Sequence, residues 1–303
     1  MSPTFRAAPV RVRVPATSAN LGPGFDCLGL ALGLHDDVVV RVADAGLEVD
    51  VAGEGADTLR RGERHLVVSS LRAAFDRLGG QPRGLEVVCA NRVPQSRGLG
   101  SSSAAIVAAV LAARALVLGG EQHLDDDAAL ALATELEGHP DNVAACLRGG
   151  LVLAWAGADG VRAVRRDVHP DVAPVAYVPG SRSSTKKVRG LLPDAVPHAD
   201  AAQDAARAAL LVLALTSEPG LLLDATEDFL HQRYRASAMP RTAALVEALR
   251  ARGLPAVVSG AGPSVLVLAT RDRRDEALAA APRGWVAQAL DVDAGGAAVV
   301  PLA

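Results

Sequence analysis

The sequence predicts an α+β protein built from two domains, on three observations. Strand-like alternation and helix-like spacing both recur along the chain. Half of the 303 residues are hydrophobic and 21% are charged, which is the composition of a globular protein and not of a solvated tail. The length suffices for two ordinary cores, and the pattern changes at Gly157 to Pro170, a short-period, Arg-rich, loop-like stretch. We therefore expect one domain over residues 1–160 and a second over residues 161–303.

Val10, Val12 and Val14 alternate as a strand does, and Val38 to Val42, Leu47 to Val51 and Leu85 to Cys89 read the same way. Leu66, Leu71, Ala74, Phe75 and Leu78 share one helical face, which Gly79-Gly80 ends. From Ser101 to Leu118 the chain is apolar on every side, so that helix should be buried. A helix over Asp125 to Glu137 carries acids in its first turn and stops at Gly138. The second half reads strand (Val172 to Val178), helices (Ala199 to Leu215, Gly220 to His231, Arg241 to Arg252), strands (Ala256 to Ser259, Val265 to Ala269), then a last helix and strand.

Composition removes several function classes. A net charge of −3 offers no general attraction to nucleic acid or anionic lipid, and 3% aromatics leaves little to stack bases. The only lysines are Lys186 and Lys187, so no Gly-Lys exists for a Walker-A loop. Cys27, Cys89 and Cys146 fit no CxxC spacing and read as small core residues. The first residues hold no signal-like apolar stretch and no later run would span a bilayer, so a cytoplasmic protein is expected.

The segment Pro94-Gln-Ser-Arg-Gly-Leu-Gly-Ser-Ser-Ser-Ala104 is a glycine-rich turn that feeds the buried helix. Helix-start amides lack partners, Gly98 and Gly100 let a phosphate approach the backbone, and one hydroxyl would suffice for capping where three serines stand. Ser259-Gly-Ala-Gly-Pro-Ser264, between two apolar strands, is equally a hairpin turn or part of a site. Glu135-Leu-Glu-Gly-His-Pro-Asp-Asn142 gathers carboxylates, an imidazole and an amide at a helix end without the spacing of zinc ligands. A carboxylate with a serine hydroxyl suits Mg²⁺ instead. Glu137 reads as an exposed helix terminus, and a loop-bracing role stays open for His139.

Together these motifs carry a resemblance. Ala16-Thr-Ser-Ala-Asn-Leu-Gly-Pro-Gly-Phe-Asp26, Gly98 to Ala105 and Ser259 to Ser264 resemble the three ordered motifs of the GHMP kinase superfamily over almost the whole chain. With Glu-Gly-His-Pro-Asp-Asn-Val-Ala, the first motif is similar to the branch that phosphorylates homoserine, and unlike the galactose, mevalonate and diphosphocytidyl-methylerythritol branches. The resemblance implies an N-terminal α/β domain, a ferredoxin-like C-terminal domain, ATP in the cleft between them, Mg²⁺, and a homodimer. It implies an ATP loop of Pro94, Gln95, Ser96, Arg97, Gly98, Leu99, Gly100, Ser101, Ser102, Ser103 and Ala104. Ser102 and Glu135 become the metal partners, with Ser101 the alternative to Ser102, and Ser102 and Glu135 with Arg189 the catalytic set. Asn20, Asp26, His139, Asn142, Thr185, Arg189 and Arg235 become the residues that hold homoserine.

An amino-acid zwitterion needs a guanidinium for its carboxylate and a carboxylate for its ammonium, and Arg189, Arg235 and Asp26 supply both. A kinase for another small alcohol, or a silent metabolite-binding relative, are the competing readings. Asp141 follows Pro140 and is expected to accept backbone N–H bonds and not to act as a base.

Overall fold

The structure is a computed structural model that describes residues 3–182 and 188–302. Its first unit runs β1 (Val10–Asn20), β2 (Gly24–Ala43), β3 (Gly46–Gly53), α1 (Leu66–Arg77), β4 (Gly84–Asn91), α2 (Ser101–Leu116), α3 (Gly120–His123), α4 (Asp126–Glu137), α5 (Pro140–Arg148), β5 (Leu151–Gly157) and β6 (Gly160–Arg166). The second runs β7 (Val175–Pro179), α6 (His198–Thr216), α7 (Leu222–Ala225), α8 (Gln232–Arg235), α9 (Pro240–Ala251), β8 (Ala256–Val258), β9 (Val265–Val267), α10 (Arg274–Ala279) and β10 (Trp285–Ala289). A final strand, β11 (Ala298–Val300), returns to pair with β1.

The larger sheet has the order β11-β1-β2-β4-β3, with β5 on β2 and β6 on β5. Strand β2 divides its length between partners: Leu28 to Leu30 pair with β5, and Asp37 to Ala43 with β4. In β1, Val10, Val12 and Val14 point into the core, as period-2 alternation requires, whereas every residue from Val14 to Asn20 is buried. That change has a cause in packing. One core lies between this sheet and helices α1, α2, α4 and α5, and a second core joins Ala16, Leu21, Leu28 and Leu30 to Leu211, Leu215, Val257 and Leu266 of the other unit. The first motif therefore sits between two layers and is buried from Ala16 to Gly24, with only Phe25 and Asp26 half-exposed at its end.

The smaller sheet is antiparallel with order β10-β7-β9-β8, which is 4-1-3-2 when its strands are counted along the chain. Its helical crossovers follow β7 and β9, as in a ferredoxin-like fold. The α+β, two-layer reading of the sequence thus corresponds to the observed architecture.

Three expectations need correction. Gly157 to Pro170 is a loop only beyond Arg166: β5 and β6 form a hairpin from Leu151 to Arg166, paired up to Gly157 opposite Gly160. A division at residue 160 would cut this hairpin, so the first unit extends through Arg166 and also takes back β11. The helix expected over Gly220 to His231 breaks after Ala225, because the Thr226 hydroxyl donates to Leu222 O (2.7 Å) and the Asp228 carboxylate takes the next free amides, of Leu230 and Gln232 (2.9 and 2.6 Å). Cys89 and Cys146 are buried, but Cys27 is only half-buried and lies in β2 near the site.

Candidate active site

The glycine-rich turn enters α2 through Gly100, whose φ of 71° places it in the left-handed region. Among the described residues no side chain caps the helix, which leaves the first-turn amides for an anion. A Cβ on Gly100 would stand 1.9 Å from Thr17 Oγ1, and one on Gly98 would stand 2.2 Å from Ser259 O. Both glycines are thus required by close approach as well as by φ.

These approaches lock the three motifs into one body. Thr17 N donates to Leu99 O (3.1 Å), Gly260 N to Ala19 O (3.1 Å) and Ser264 N to Arg97 O (3.2 Å). Ser259 Oγ donates to Gly98 O (2.5 Å) and lies 2.8 Å from Ser18 Oγ. The Ser259 to Ser264 segment is therefore both a turn and a wall of the site, and Gly260, Ala261 and Gly262 line the cavity.

That cavity is also lined by Asn20, Asp26, Ser96, Gly98, Gly100, Ser101, Ser102, Glu137, His139, Asp141, Asn142, Arg189 and Arg235. Asn20 lines it but is committed at both ends of its amide: Nδ2 donates to Gly260 O (2.9 Å), and Oδ1 accepts from Asp26 N (3.1 Å). Thr17 Oγ1 donates to Asn142 Oδ1 (2.7 Å) and ties α5 to the first motif. His139 Nδ1 lies 2.8 Å from Asp141 Oδ1, which also accepts from Asn142 N (2.8 Å). The Asp141 contact raises the His139 pKa above its ordinary value. Arg189 grips Asp26 through two bonds of 2.7 Å, so these two charges face the cavity as a pair. Arg235 is 2% exposed and its Nε has no partner among the described residues. Thr185 lies outside the described residues.

Glu135 is not at the site. Its carboxylate pairs with Arg77 (2.7 Å) on the surface of α4, with 64% of the side chain exposed. Glu137 takes its place: its Oε1 accepts from Ser102 Oγ (2.6 Å) and from Ser103 Oγ (2.9 Å). The helix decides between them. Two residues along a helix turn by about 200°, so only one of these carboxylates can face α2. Buried Leu130 and Ala133 stand seven and four residues before Glu137, and this spacing would have chosen it over Glu135.

A second cavity meets the first at Ser96, Ser101 and Ser102 and continues along Val38, Leu59, Leu66, Val67 and Ala104. His65 lines it at the start of α1, 5% exposed, with neither ring nitrogen bonded among the described residues. Burial pushes the His65 pKa down, so the ring is neutral. Nearby, Asp36 accepts the N–H groups of Arg92 and Val93 (2.6 and 2.8 Å) and so anchors the start of the glycine-rich loop. Sequence reasoning found neither residue. A lone buried His leaves no periodic signal, and Asp36 became legible only through its long-range contact.

An anion loop between an apolar cavity and a charged one is the plan of a small-molecule kinase. Residues 65–150 match the family described as GHMP kinases N terminal domain, and residues 199–287 match GHMP kinases C terminal. The chain belongs to the GHMP kinase family. It is 64% identical to a homoserine kinase of Streptomyces avermitilis over 99% of both chains. It is 48% identical to one from Rhodococcus erythropolis, over 94% of this chain and 93% of that one. Among solved structures, the homoserine kinase of Cytophaga hutchinsonii superposes with a TM-score of 0.83 at 26% identity, covering 98% of each chain.

Proposed function

We infer that the protein is an ATP-dependent homoserine kinase, which moves the γ-phosphoryl group of ATP to the side-chain hydroxyl of L-homoserine and so makes O-phosphohomoserine for threonine biosynthesis. The observation that carries this reading is the charged cavity itself: Asp26, Arg189 and Arg235 meet the needs of a zwitterion, beside a loop built for phosphate. ATP would place its base and ribose in the apolar cavity and its phosphates across Gly98 to Ser103, where the two cavities join. The donor set of Ser102 and Glu137 fits Mg²⁺, since hard oxygen donors from the protein can be few when phosphate and water complete the shell. Bound there, Mg²⁺ would neutralise charge on the transferring phosphoryl group.

The rest is positioning. Arg235 and the Asp26–Arg189 pair hold the amino-acid end, while Asn142 and His139, which line the same cavity as Ser102, orient the hydroxyl. No base need act early, because a loose transition state asks little of the nucleophile. Asp141 is engaged in holding His139 and the first turn of α5. Asp141→Asn is therefore expected to lower turnover by less than about tenfold, below the 10²–10⁴ typical of general-base loss. A folded Asp141→Asn enzyme slowed a thousandfold at unchanged affinity for both substrates would make Asp141 the base.

The neutral His65 ring offers one donor and one acceptor to the nucleotide base. Replacing it by Leu should raise KM for ATP roughly three- to tenfold, the worth of one neutral hydrogen bond, with KM for homoserine unmoved. Steady-state kinetics with each substrate varied in turn check this. The activity itself is tested by a coupled ADP-release assay over a panel of amino acids and alcohols. Turnover confined to L-homoserine is expected, and turnover of mevalonate or a sugar alone would overturn the reading.

A further inference from the structure

Of the His-Gln-Arg-Tyr-Arg segment, only Arg235 has a role so far, yet its first residue is the more deeply buried. His231 is 0% exposed, and its Nε2 lies 2.9 Å from the carbonyl oxygen of Gly22. A carbonyl can only accept, so Nε2 carries the proton and the neutral ring leaves its lone pair on Nδ1. That atom lies 3.3 Å from Nη1 of Arg235, one helical turn along, and a guanidinium can only donate. Burial pushes the His231 pKa down, and the positive charge of Arg235 acts the same way against the opposing pull of Asp228.

Among the described residues, the surroundings of Arg235 leave its Nε without a partner. Phe25 stacks on the His231 ring at 5.1 Å between centroids, and its face also lies 5.2 Å from the guanidinium carbon of Arg235. Nη1 is turned to His231 and the plane is covered by Phe25, while Nε is buried without a partner among the described residues, on a side chain that lines the cavity. A guanidinium binds carboxylate side-on through Nε–H and Nη2–H, in the fork geometry that favours Arg over Lys.

We propose that His231, as its Nε2–H tautomer, is a positioning residue that turns the Nε/Nη2 edge of Arg235 toward the substrate carboxylate. The proposal rests on the homoserine reading of the cavity and adds how the carboxylate is held. It is separable from a general packing role, because Asn and Gln imitate different nitrogens of histidine. The amide of Asn falls near Nδ1 and can accept from Arg235, whereas that of Gln reaches toward Nε2 and Gly22 O and leaves Nη1 without its acceptor.

The test is KM for L-homoserine in His231→Asn and His231→Gln, with KM for ATP and thermal midpoints measured beside it. The Asn variant should stay within about threefold of wild type, while Gln should raise KM for homoserine by about tenfold or more, the worth of a charge-assisted hydrogen bond. KM for ATP should hold in both. With L-homoserine amide, which has no carboxylate, the Gln penalty should vanish. Equal effects of Asn and Gln, or a penalty that persists with the amide, would overturn the proposal. ¹⁵N spectra of the wild-type ring give a variant-free check: a proton on Nδ1 and not Nε2 also overturns it. Absence of any homoserine turnover by the wild-type enzyme would instead sink the functional reading beneath it.

Discussion

Glu137→Gln is expected to lower kcat by at least about a hundredfold, whereas Glu135→Gln leaves it within about threefold. The first loses the carboxylate charge at the junction of the two cavities, where Ser102 and Ser103 converge on it. Metal-assisted charge neutralisation is worth several kcal/mol, and each 1.36 kcal/mol is a factor of ten in rate. The amide keeps the shape and can still accept from both hydroxyls, so the unfolding midpoint should scarcely move. Glu135→Gln breaks only a solvent-exposed pair with Arg77, of a kind worth about 0–1 kcal/mol. Steady-state rates across a Mg²⁺ titration measure both. Glu137→Gln should also shift the Mg²⁺ requirement upward. If Glu135→Gln is the slow variant and Glu137→Gln the normal one, α4 is rotated from the orientation described and the metal assignment returns to Glu135.

This pair of residues shows where the sequence was legible and where it was not. The loop from Pro94 to Ala104 announced itself because Gly98 and Gly100 are demanded by local geometry, φ near +75° and a backbone neighbour at van der Waals contact or closer. The buried helix α2 was legible from its composition alone. Motif wording brought Glu135 and Glu137 together but could not choose between them, since two carboxylates two residues apart are equally near in sequence and opposite in space. Only the apolar phase of α4, set by Leu130 and Ala133, carries that information.

Other gaps have a different origin. Leu151 to Ala156 reads as a strand in the sequence, but its partner β6 (GVRAVRR) was hidden because it is an edge strand with no fully buried residue, whose arginines blur the alternation. The break after α7 depends on side chains bonding backbone, Thr226 to Leu222 and Asp228 to the α8 amides, which helical periodicity does not register. Asn20 lines the cavity, and its amide also bonds Gly260 O, 240 residues away, and Asp26 N. Long-range partners of that kind follow from the fold and from no local pattern.

Arg235→Leu should raise KM for homoserine by about 10² or more while KM for ATP stays within about threefold. Among the described residues, Arg235 is the cavity-lining guanidinium whose Nε is buried without a partner, whereas Arg189 is already held by two bonds to Asp26. On the proposed reading, the incoming carboxylate would therefore be met chiefly by Arg235. Removing one partner of a buried charge pair costs about 2–5 kcal/mol, and at about 1.4 kcal/mol per decade that spans roughly 30- to several-thousandfold. Stability should not fall with it. Burial, with Arg189 close by, lowers the Arg235 pKa from its ordinary value, so the unliganded protein holds this cation at a cost that Leu removes. Arg233→Leu serves as the control, because Arg233 is an exposed neighbour that pairs with Asp200 away from the cavity, and it should change neither KM by more than about twofold. The decisive comparison uses L-homoserine amide: wild type should lose most of its advantage over Arg235→Leu when the carboxylate is absent. Equal rises in both KM values, or a wild-type advantage that survives with the amide, would move Arg235 out of the carboxylate site and toward the phosphates.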